Sequence, residues 1–363
     1  RNPPPQSRPH TWWHWMNGNI TKEGITADLE AMARVGVGGA QIFNVGDDSS
    51  CNIPAGPVNY LTPEWLDLVQ HAAAEAKRVG VELCFHNCPG WSSSGGPWIT
   101  PEQSMQVVVW SEIAVAGGKR FTGKLPQPAA RQGFYRDIAV VAFPTPADNA
   151  FRIEQWGNKN GSGQSYGIQP DRRPVPAAAC VPPVAVADLT GKMQPDGTLA
   201  WEAPAGNWTV MRFGHTTTGK TNHPAPLSGR GLECDKLSRE ALDVHWNRGI
   251  QPGPLAGQSL NNILIDSYEV GANTWTPKFR GEFQRLRGYD LLAFLPALCG
   301  RVIGDGPTSE RFLWDYRRTI GDLFAANYYG YFAEKCHAAG LLCSTEPYDG
   351  PFECRAVGAQ ADI

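Results

Sequence analysis

The chain has 363 residues, a net charge of −3 and 42% hydrophobic residues, which is typical of a globular protein with a substantial core. This near-neutral balance gives no electrostatic basis for binding nucleic acid or an anionic membrane surface. No apolar run approaches the roughly 18 residues that a membrane-spanning helix needs. Thirteen residues are Trp, a high number. Because aromatic rings pack against the apolar faces of sugars, this enrichment favours a carbohydrate-binding protein.

Strands and helices alternate along residues 1–105. The two predicted helices begin at favoured cap residues, Thr21 and Thr62, and end at glycines. The three predicted strands are Trp12–Asn17, Ala40–Val45 and Val81–Phe85. Because each strand is joined to the next by a helix, we predict right-handed parallel crossovers, as in a barrel or a doubly wound sheet.

Residues 106–235 have a different pattern. Helical periodicity disappears, and short alternating runs are separated by Gly, Pro and Asn turns, which predicts a small inserted β-rich domain. The helical pattern resumes in residues 236–363, where Asn262–Tyr268 and Leu341–Thr345 are the fourth and fifth predicted strands. The predicted fold class is therefore α/β, with a TIM-like (β/α)-barrel whose two parts flank the β-rich insertion.

Polar and ionisable residues follow the predicted strands. Barrel enzymes build their active sites from the loops at the carboxyl ends of the strands, so we expect these residues to line a functional site. They are Asn17, Asn44, His86, Asn87, Asp266, Glu269 and Glu346.

Two of these carboxyl groups suit glycoside hydrolysis. That reaction needs one protonated carboxyl to donate to the leaving oxygen and one ionised carboxylate to activate water or attack the sugar. Glu269 suits the protonated role, because Tyr268 and Trp275 are near it in sequence and burial against aromatic rings raises a carboxyl pKa. Glu346 is the candidate for the second carboxylate. Motifs of other hydrolases, HExxH and GxSxG, are absent, as is a phosphate-binding loop.

Five segments, in order, closely resemble glycoside hydrolase family 106, the α-L-rhamnosidases. They are TWWHWMNGNITKEGITADLEAMARVGVGGAQIF, FHNCPGWSSSGGPWITPEQSMQ, GKTNHPAPLSGRGLECDKLS, LIDSYEVGANTW and STEPYDGPF. The resemblance implies an inverting enzyme that acts on rhamnose-containing carbohydrates, is secreted or periplasmic, and uses calcium near the sugar. It also implies that Glu269 is the general acid and that Glu346 lines the active site. The predicted substrate-binding residues are Asn17, His86, Asn87, Trp91, His223 and Asp266.

The calcium ligands are less defined than the catalytic residues. Calcium takes several oxygen ligands, and Glu233 and Asp235 supply two carboxylates in one loop of the third motif. We predict these two residues as ligands, with Asp266 and Glu346 as alternatives. Glu233 and Asp235 are equally well suited to capping the helix that follows them.

Five strands are fewer than the eight of a closed barrel of this type. We therefore expect the chain to be a fragment, with the remaining strands and the general base beyond Ile363, and to be inactive by itself. Two other functions stay open. One is a different barrel glycosidase, such as a retaining, galactosidase-like enzyme, and the other is a sugar-binding protein without catalysis.

Overall fold

The computed structural model describes residues 4, 7–46, 52–163, 167–250 and 260–363. The chain divides into two compact units, each discontinuous in sequence. Unit 1 comprises Arg1–Ser104, Gly219–Val270 and Leu323–Ile363, and unit 2 comprises Met105–Thr218 and Gly271–Asp322.

The strands and helices have the following bounds. In chain order the strands are β1 His10–Met16, β2 Gly39–Val45, β3 Glu82–His86, β4 Gly95–Gly96, β5 Gln106–Ala116, β6 Lys119–Lys124, β7 Arg136–Pro144, β8 Cys180–Val181, β9 Ala187–Asp188, β10 Thr198–Ala203, β11 Asn207–Thr217, β12 Leu232–Glu233, β13 Leu260–Ile265, β14 Val302–Ile303 and β15 Leu342–Thr345. The α-helices are α1 Lys22–Val35, α2 Pro63–Val79, α3 Trp156–Lys159, α4 Arg239–His245, α5 Phe279–Arg287, α6 Gly306–Leu323, α7 Tyr331–Ala338 and α8 Cys354–Gly358. None of these described helices is long and apolar enough to cross a membrane.

Unit 1 contains a parallel sheet whose five strands lie side by side in chain order, β1-β2-β3-β13-β15. These are the five strands predicted from the sequence, so a mixed α/β fold is confirmed. Among the described strands the sheet is open, with β1 at one edge and β15 at the other. Because all five strands point the same way, their carboxyl ends meet at one edge of the sheet.

Local sequence explains how the first two helices fold. The Thr21 hydroxyl accepts a hydrogen bond from the Gly24 N–H at 3.1 Å, and Thr62 caps α2 in the same way. Each helix ends at a glycine with positive φ, Gly36 at 86° and Gly80 at 73°. The chain then turns directly into β2 or β3, which determines where those strands begin.

Strand alternation in β1 gives its two faces different surroundings. Trp13 and Trp15 are buried; the Trp13 indole donates to Asp28 of α1 at 2.9 Å, and Trp15 packs against Trp65 of α2. Trp12 and His14 project from the opposite face of the sheet and are exposed. The face away from the helices is therefore available for a functional site.

Unit 2 is built on the antiparallel sheet β5-β11-β7-β9, with β6 and β10 forming a separate pair. Its boundaries differ from the predicted insertion of residues 106–235. Residues 219–235 belong to unit 1, because Leu232 and Glu233 pair with β4. Residues 271–322 belong to unit 2, where the Asn273 side chain accepts a hydrogen bond from the Gln106 N–H at 3.0 Å.

Candidate active site

Two carboxyl groups are in direct contact at the carboxyl edge of the unit 1 sheet. Asp266 follows β13, Glu346 follows β15, and their side chains hydrogen bond to each other. Burial raises the pKa of both groups, and the hydrogen bond from Glu346 to Asp266 raises the pKa of Glu346 further. The Tyr348 hydroxyl also donates to Glu346, at 3.0 Å. The pair therefore holds a proton at higher pH than isolated carboxyl groups would.

Glu269 lies three residues after Asp266 in the chain, and its negative charge contributes to the raised pKa of Asp266. Its side chain is exposed, so the expected burial against aromatic rings is wrong. Tyr268 is buried and packs on Phe324 instead, and Trp275 belongs to unit 2. The structure thus groups three carboxyl residues at the ends of two neighbouring strands.

A row of rings covers the same face of β1, β2 and β3. Phe43 stacks on His86 with ring centroids 4.9 Å apart, and it contacts Trp12 and His14 at 5.5 and 5.6 Å. His14 in turn meets the edge of Trp91 at 6.1 Å. Trp12 is 51% exposed, so this row presents apolar ring surface to solvent. Such a surface suits the apolar face of a sugar.

His86 is buried at the end of β3, and its two ring nitrogens differ. Nδ1 lies 2.6 Å from the carbonyl oxygen of Cys88, so Nδ1 carries the proton and donates. Nε2 is then an acceptor, and it is buried without a hydrogen-bond partner in the described structure. Burial lowers the pKa of His86 to about 4, so the ring is neutral at pH 7.

Asn87 belongs to a buried network beneath the loop that follows β3. Its amide donates to the carbonyl oxygens of Ser93 at 2.9 Å and Leu264 at 3.1 Å. Its side-chain oxygen accepts from the Ser94 hydroxyl and from Nε2 of His245. Asn87 therefore holds the loop in place, and its fully buried side chain makes it a structural residue rather than a surface for substrate.

Of the other predicted substrate-binding residues, Trp91 and His223 are in contact, and Asn17 is hydrogen bonded to another loop. The Trp91 N–H donates to the His223 carbonyl at 3.0 Å, and both side chains are at least partly exposed. The Asn17 amide donates to the Ile53 carbonyl at 2.8 Å, and its backbone N–H donates to Val45. Asn17 thus fastens the segment at Ile53, between β2 and α2, to the end of β1.

Glu233 and Asp235 do not fit as calcium ligands. Glu233 is fully buried, and its oxygens accept from the Ser92 hydroxyl at 2.7 Å, from the Ser94 N–H at 3.0 Å and from the Lys236 ammonium. A dication at this carboxylate would displace these donors and repel the ammonium group. Asp235 accepts from the Leu237 N–H at 2.9 Å, next to the start of α4. Among the described residues, no group of three or more His, Cys, Asp and Glu side chains is arranged to hold a metal ion.

Sequence reasoning missed His14 and Ser92. His14 shares its face with Trp12 because alternate residues of a strand point the same way, so the alternation in HTWWHWM was a signal for it. Ser92 is one of three consecutive serines, and its contacts come from segments distant in sequence. No local pattern distinguishes it from Ser93 or Ser94.

A parallel α/β sheet with carboxyl groups and aromatic rings at its strand ends has the chemistry of a glycosidase. The sequence model of glycoside hydrolase family 106, described as alpha-L-rhamnosidase, matches residues 1–148 and 134–356. The chain belongs to this family, which confirms the resemblance drawn from the five motifs.

Two known proteins are similar to the chain over its whole length. The structure of a rhamnosidase from Novosphingobium sp. PP1Y matches with a TM-score of 0.86 at 30% sequence identity, covering 100% of this chain and 48% of that one. A protein from Formosa agariphila named "Putative beta-glucuronidase" is 52% identical over 368 residues, covering 100% of this chain and 31% of its own length. The chain thus spans about half the length of the first relative and about a third of the second.

Proposed function

We propose that this chain carries catalytic residues of an inverting α-L-rhamnosidase. The observation that carries this proposal is the grouping of Asp266, Glu269 and Glu346 at the ends of two neighbouring strands, in a member of an alpha-L-rhamnosidase family. The rhamnosidase from Novosphingobium, which matches the full length of the chain, supports the same activity.

In this proposal Glu269 is the general acid and protonates the glycosidic oxygen as the bond to the sugar breaks. Its exposed position leaves it open to substrate. Glu346 is the second carboxylate, and in this proposal it takes the role of the general base that the strand count places beyond Ile363. In its ionised form it takes a proton from the water that attacks the opposite side of the sugar ring. Asp266, hydrogen bonded to Glu346, sets the pH at which that ionised form is populated.

The rings of this row that reach the surface, Trp12, His14 and Trp91, would bind the sugar, and the buried ring of Phe43 would support them. Rhamnose is a deoxy sugar with a methyl group, and its C–H groups suit aromatic surfaces. His86, with an unpartnered Nε2 buried below Phe43, would complete this wall rather than contact the sugar directly.

We further propose that the five-stranded sheet is part of a (β/α)-barrel. Its support is the order of the strands, which are parallel and neighbour one another in chain order as barrel strands do. Unit 2 would be the β-rich insertion between the third and fourth strands, supplemented by residues 271–322.

The name of the Formosa relative makes β-glucuronidase the second candidate function. A glucuronide carries a carboxylate, which a basic side chain would have to pair with. Lys236 is fully buried and paired with Glu233, so it does not provide that partner.

An assay of the intact protein on aryl α-L-rhamnosides and aryl β-D-glucuronides separates these activities. We expect turnover of the rhamnoside. NMR should detect, as the first product, rhamnose whose anomeric configuration is opposite to that of the substrate. Retained configuration would point to the galactosidase-like mechanism, and binding without turnover to a non-catalytic sugar-binding protein. Turnover of the glucuronide alone would overturn the proposal.

A calcium requirement and export from the cytoplasm remain proposals from the family resemblance. Glu233 and Asp235 would not supply the calcium site, so no step of the mechanism is assigned to the ion. Exhaustive chelation should abolish activity and added calcium should restore it. Full activity in metal-free protein, checked by elemental analysis, would remove calcium from the proposal.

A further inference from the structure

Ser92 connects three separate segments of unit 1. Its side chain is fully buried. The hydroxyl donates to Glu233 at 2.7 Å and accepts from the His223 N–H at 2.9 Å. Its carbonyl oxygen accepts from the backbone N–H of Glu269 at 3.3 Å. One residue thus contacts the proposed general acid, the loop at His223 and a buried carboxylate.

Glu233 and Lys236 hold Ser92 in a fixed orientation. The two charged side chains form a fully buried ion pair, and the ammonium group also donates to the carbonyls of Ser94 and Cys234, both at 3.0 Å. Burial by itself would raise the pKa of Glu233, but Lys236, Ser92 and Ser94 together lower it, so Glu233 is ionised. An ionised carboxylate only accepts hydrogen bonds, so the Ser92 hydroxyl must donate to it. The lone pairs of that hydroxyl then remain for His223.

The His223 backbone is held at both ends by the same loop. Its N–H donates to Ser92, and its carbonyl accepts from the Trp91 N–H at 3.0 Å. Gly90 leaves no room between the segments, since a Cβ there would lie 2.6 Å from the His223 carbonyl carbon. The loop that bears Trp91 and Ser92 therefore cannot shift without moving His223.

We propose that Ser92, anchored by the Glu233–Lys236 pair, is a positioning residue that fixes Glu269 for proton donation. This inference rests on the proposed function of Glu269 as general acid. Displacement of a catalytic group by about 1 Å lowers rates on the order of 100-fold. The buried ionic contacts of Glu233 and Lys236 then serve catalysis through Ser92 and not through a metal ion.

The test is Ser92→Ala in the intact protein, assayed on two aryl rhamnosides with a good and a poor leaving group. A displaced acid matters only where the leaving group needs protonation. We expect kcat to fall about 10- to 100-fold for the poor leaving group and much less for the good one, with KM little changed. Loss of folded protein would instead lower both rates equally.

A control and a double variant complete the test. Ser309 of unit 2 is also fully buried, and its hydroxyl makes two hydrogen bonds to the Ile303 backbone, at 2.8 and 2.9 Å. Ser309→Ala should leave the ratio of the two rates unchanged. In a Glu269→Gln background, Ser92→Ala should cause no further selective loss, because the acid through which it acts is gone.

Folded Ser92→Ala protein with the wild-type ratio of rates would overturn the proposal. Should Ser92→Ala not fold, Ser92→Cys replaces the hydroxyl with a weak donor of similar size. We expect this variant to lose rate selectively on the poor leaving group. A wild-type ratio of rates in folded Ser92→Cys would also overturn the proposal. Failure of the proposed function is a different result: the wild-type protein would then hydrolyse no rhamnoside. If it hydrolyses another glycoside, the same pair of leaving groups on that sugar tests Ser92.

Discussion

The carboxyl group of Glu346 hydrogen bonds to that of Asp266 across the neighbouring strands β15 and β13. Two adjacent carboxylates that are partly withdrawn from water cannot both ionise readily, so the pair retains a proton to higher pH. Asp266 is the more buried partner and is also influenced by the charge of Glu269. The protonation of Glu346 thus depends on residues of a different strand.

Asp266→Asn should shift the pH dependence of activity. The pKa of Glu346 is raised by burial and by Asp266, so removal of the Asp266 charge lowers it. If ionised Glu346 activates water, the acid limb of kcat against pH should then move to lower pH. The measurement is a pH–rate profile for both proteins, and an unmoved acid limb would exclude Glu346 as the group that must ionise.

Removing one partner of the buried Glu233–Lys236 pair should be strongly destabilising. Lys236→Met leaves the Glu233 charge buried without its partner, which typically costs about 3–5 kcal/mol. The double variant Glu233→Leu, Lys236→Met should recover much of this loss, because no lone charge remains. The free energy of unfolding of the wild type, the single variant and the double variant is measured by urea denaturation. Arg285→Met is the control, since Arg285 pairs with Glu282 at the same sequence spacing but is exposed, and it should change stability little.

Sequence periodicity was sufficient to predict the five strands of the parallel sheet in unit 1. β2 and β3 are largely buried, and the helices before them, α1 and α2, begin and end at residues with a clear backbone preference, such as Thr62 and Gly80. The carboxyl positions of Asp266 and Glu346 followed from those strand ends. Parallel strands bring such ends together whatever the intervening sequence.

Burial and partner choice could not be predicted in the same way. Glu269 was expected to be buried because Tyr268 adjoins it, but successive residues point in different directions, and only Tyr268 packs inward. Glu233 looked like a metal ligand because nothing in its loop indicates that Lys236 folds back against it. Tyr268 packs inward on Phe324, and Glu233 is buried by Ser92 and Ser94, so both outcomes also depend on segments that are distant in sequence.

His245 should make the protein sensitive to mild acid. Its Nε2 donates to Asn87, and its Nδ1 accepts from the Trp98 indole at 3.2 Å, so the buried ring is neutral. Burial lowers the pKa of His245 to about 4, below the value of about 6.5 for an exposed histidine. The unfolded chain therefore binds the proton more readily, and stability present above pH 6.5 is lost as the pH falls towards 4.

This contribution amounts to at most about 3 kcal/mol, from the difference between the two pKa values. His245→Gln should reduce the difference in the free energy of unfolding between pH 7 and pH 5, as measured with urea. His223→Gln, which replaces an exposed histidine, serves as control. An unchanged acid sensitivity in His245→Gln would show that other groups cause it.

Glu269→Gln should abolish acid catalysis while leaving the fold intact. The side chain is exposed, so an isosteric amide removes the proton without a packing penalty. General acid catalysis typically contributes about 10²–10⁴-fold, so turnover of rhamnosides with poor leaving groups should fall by that factor or more. Aryl rhamnosides with very good leaving groups need little protonation and should be hydrolysed at rates much nearer to wild type. Steady-state kinetics on both substrates give the comparison, and equal losses on the two would remove Glu269 from the acid role.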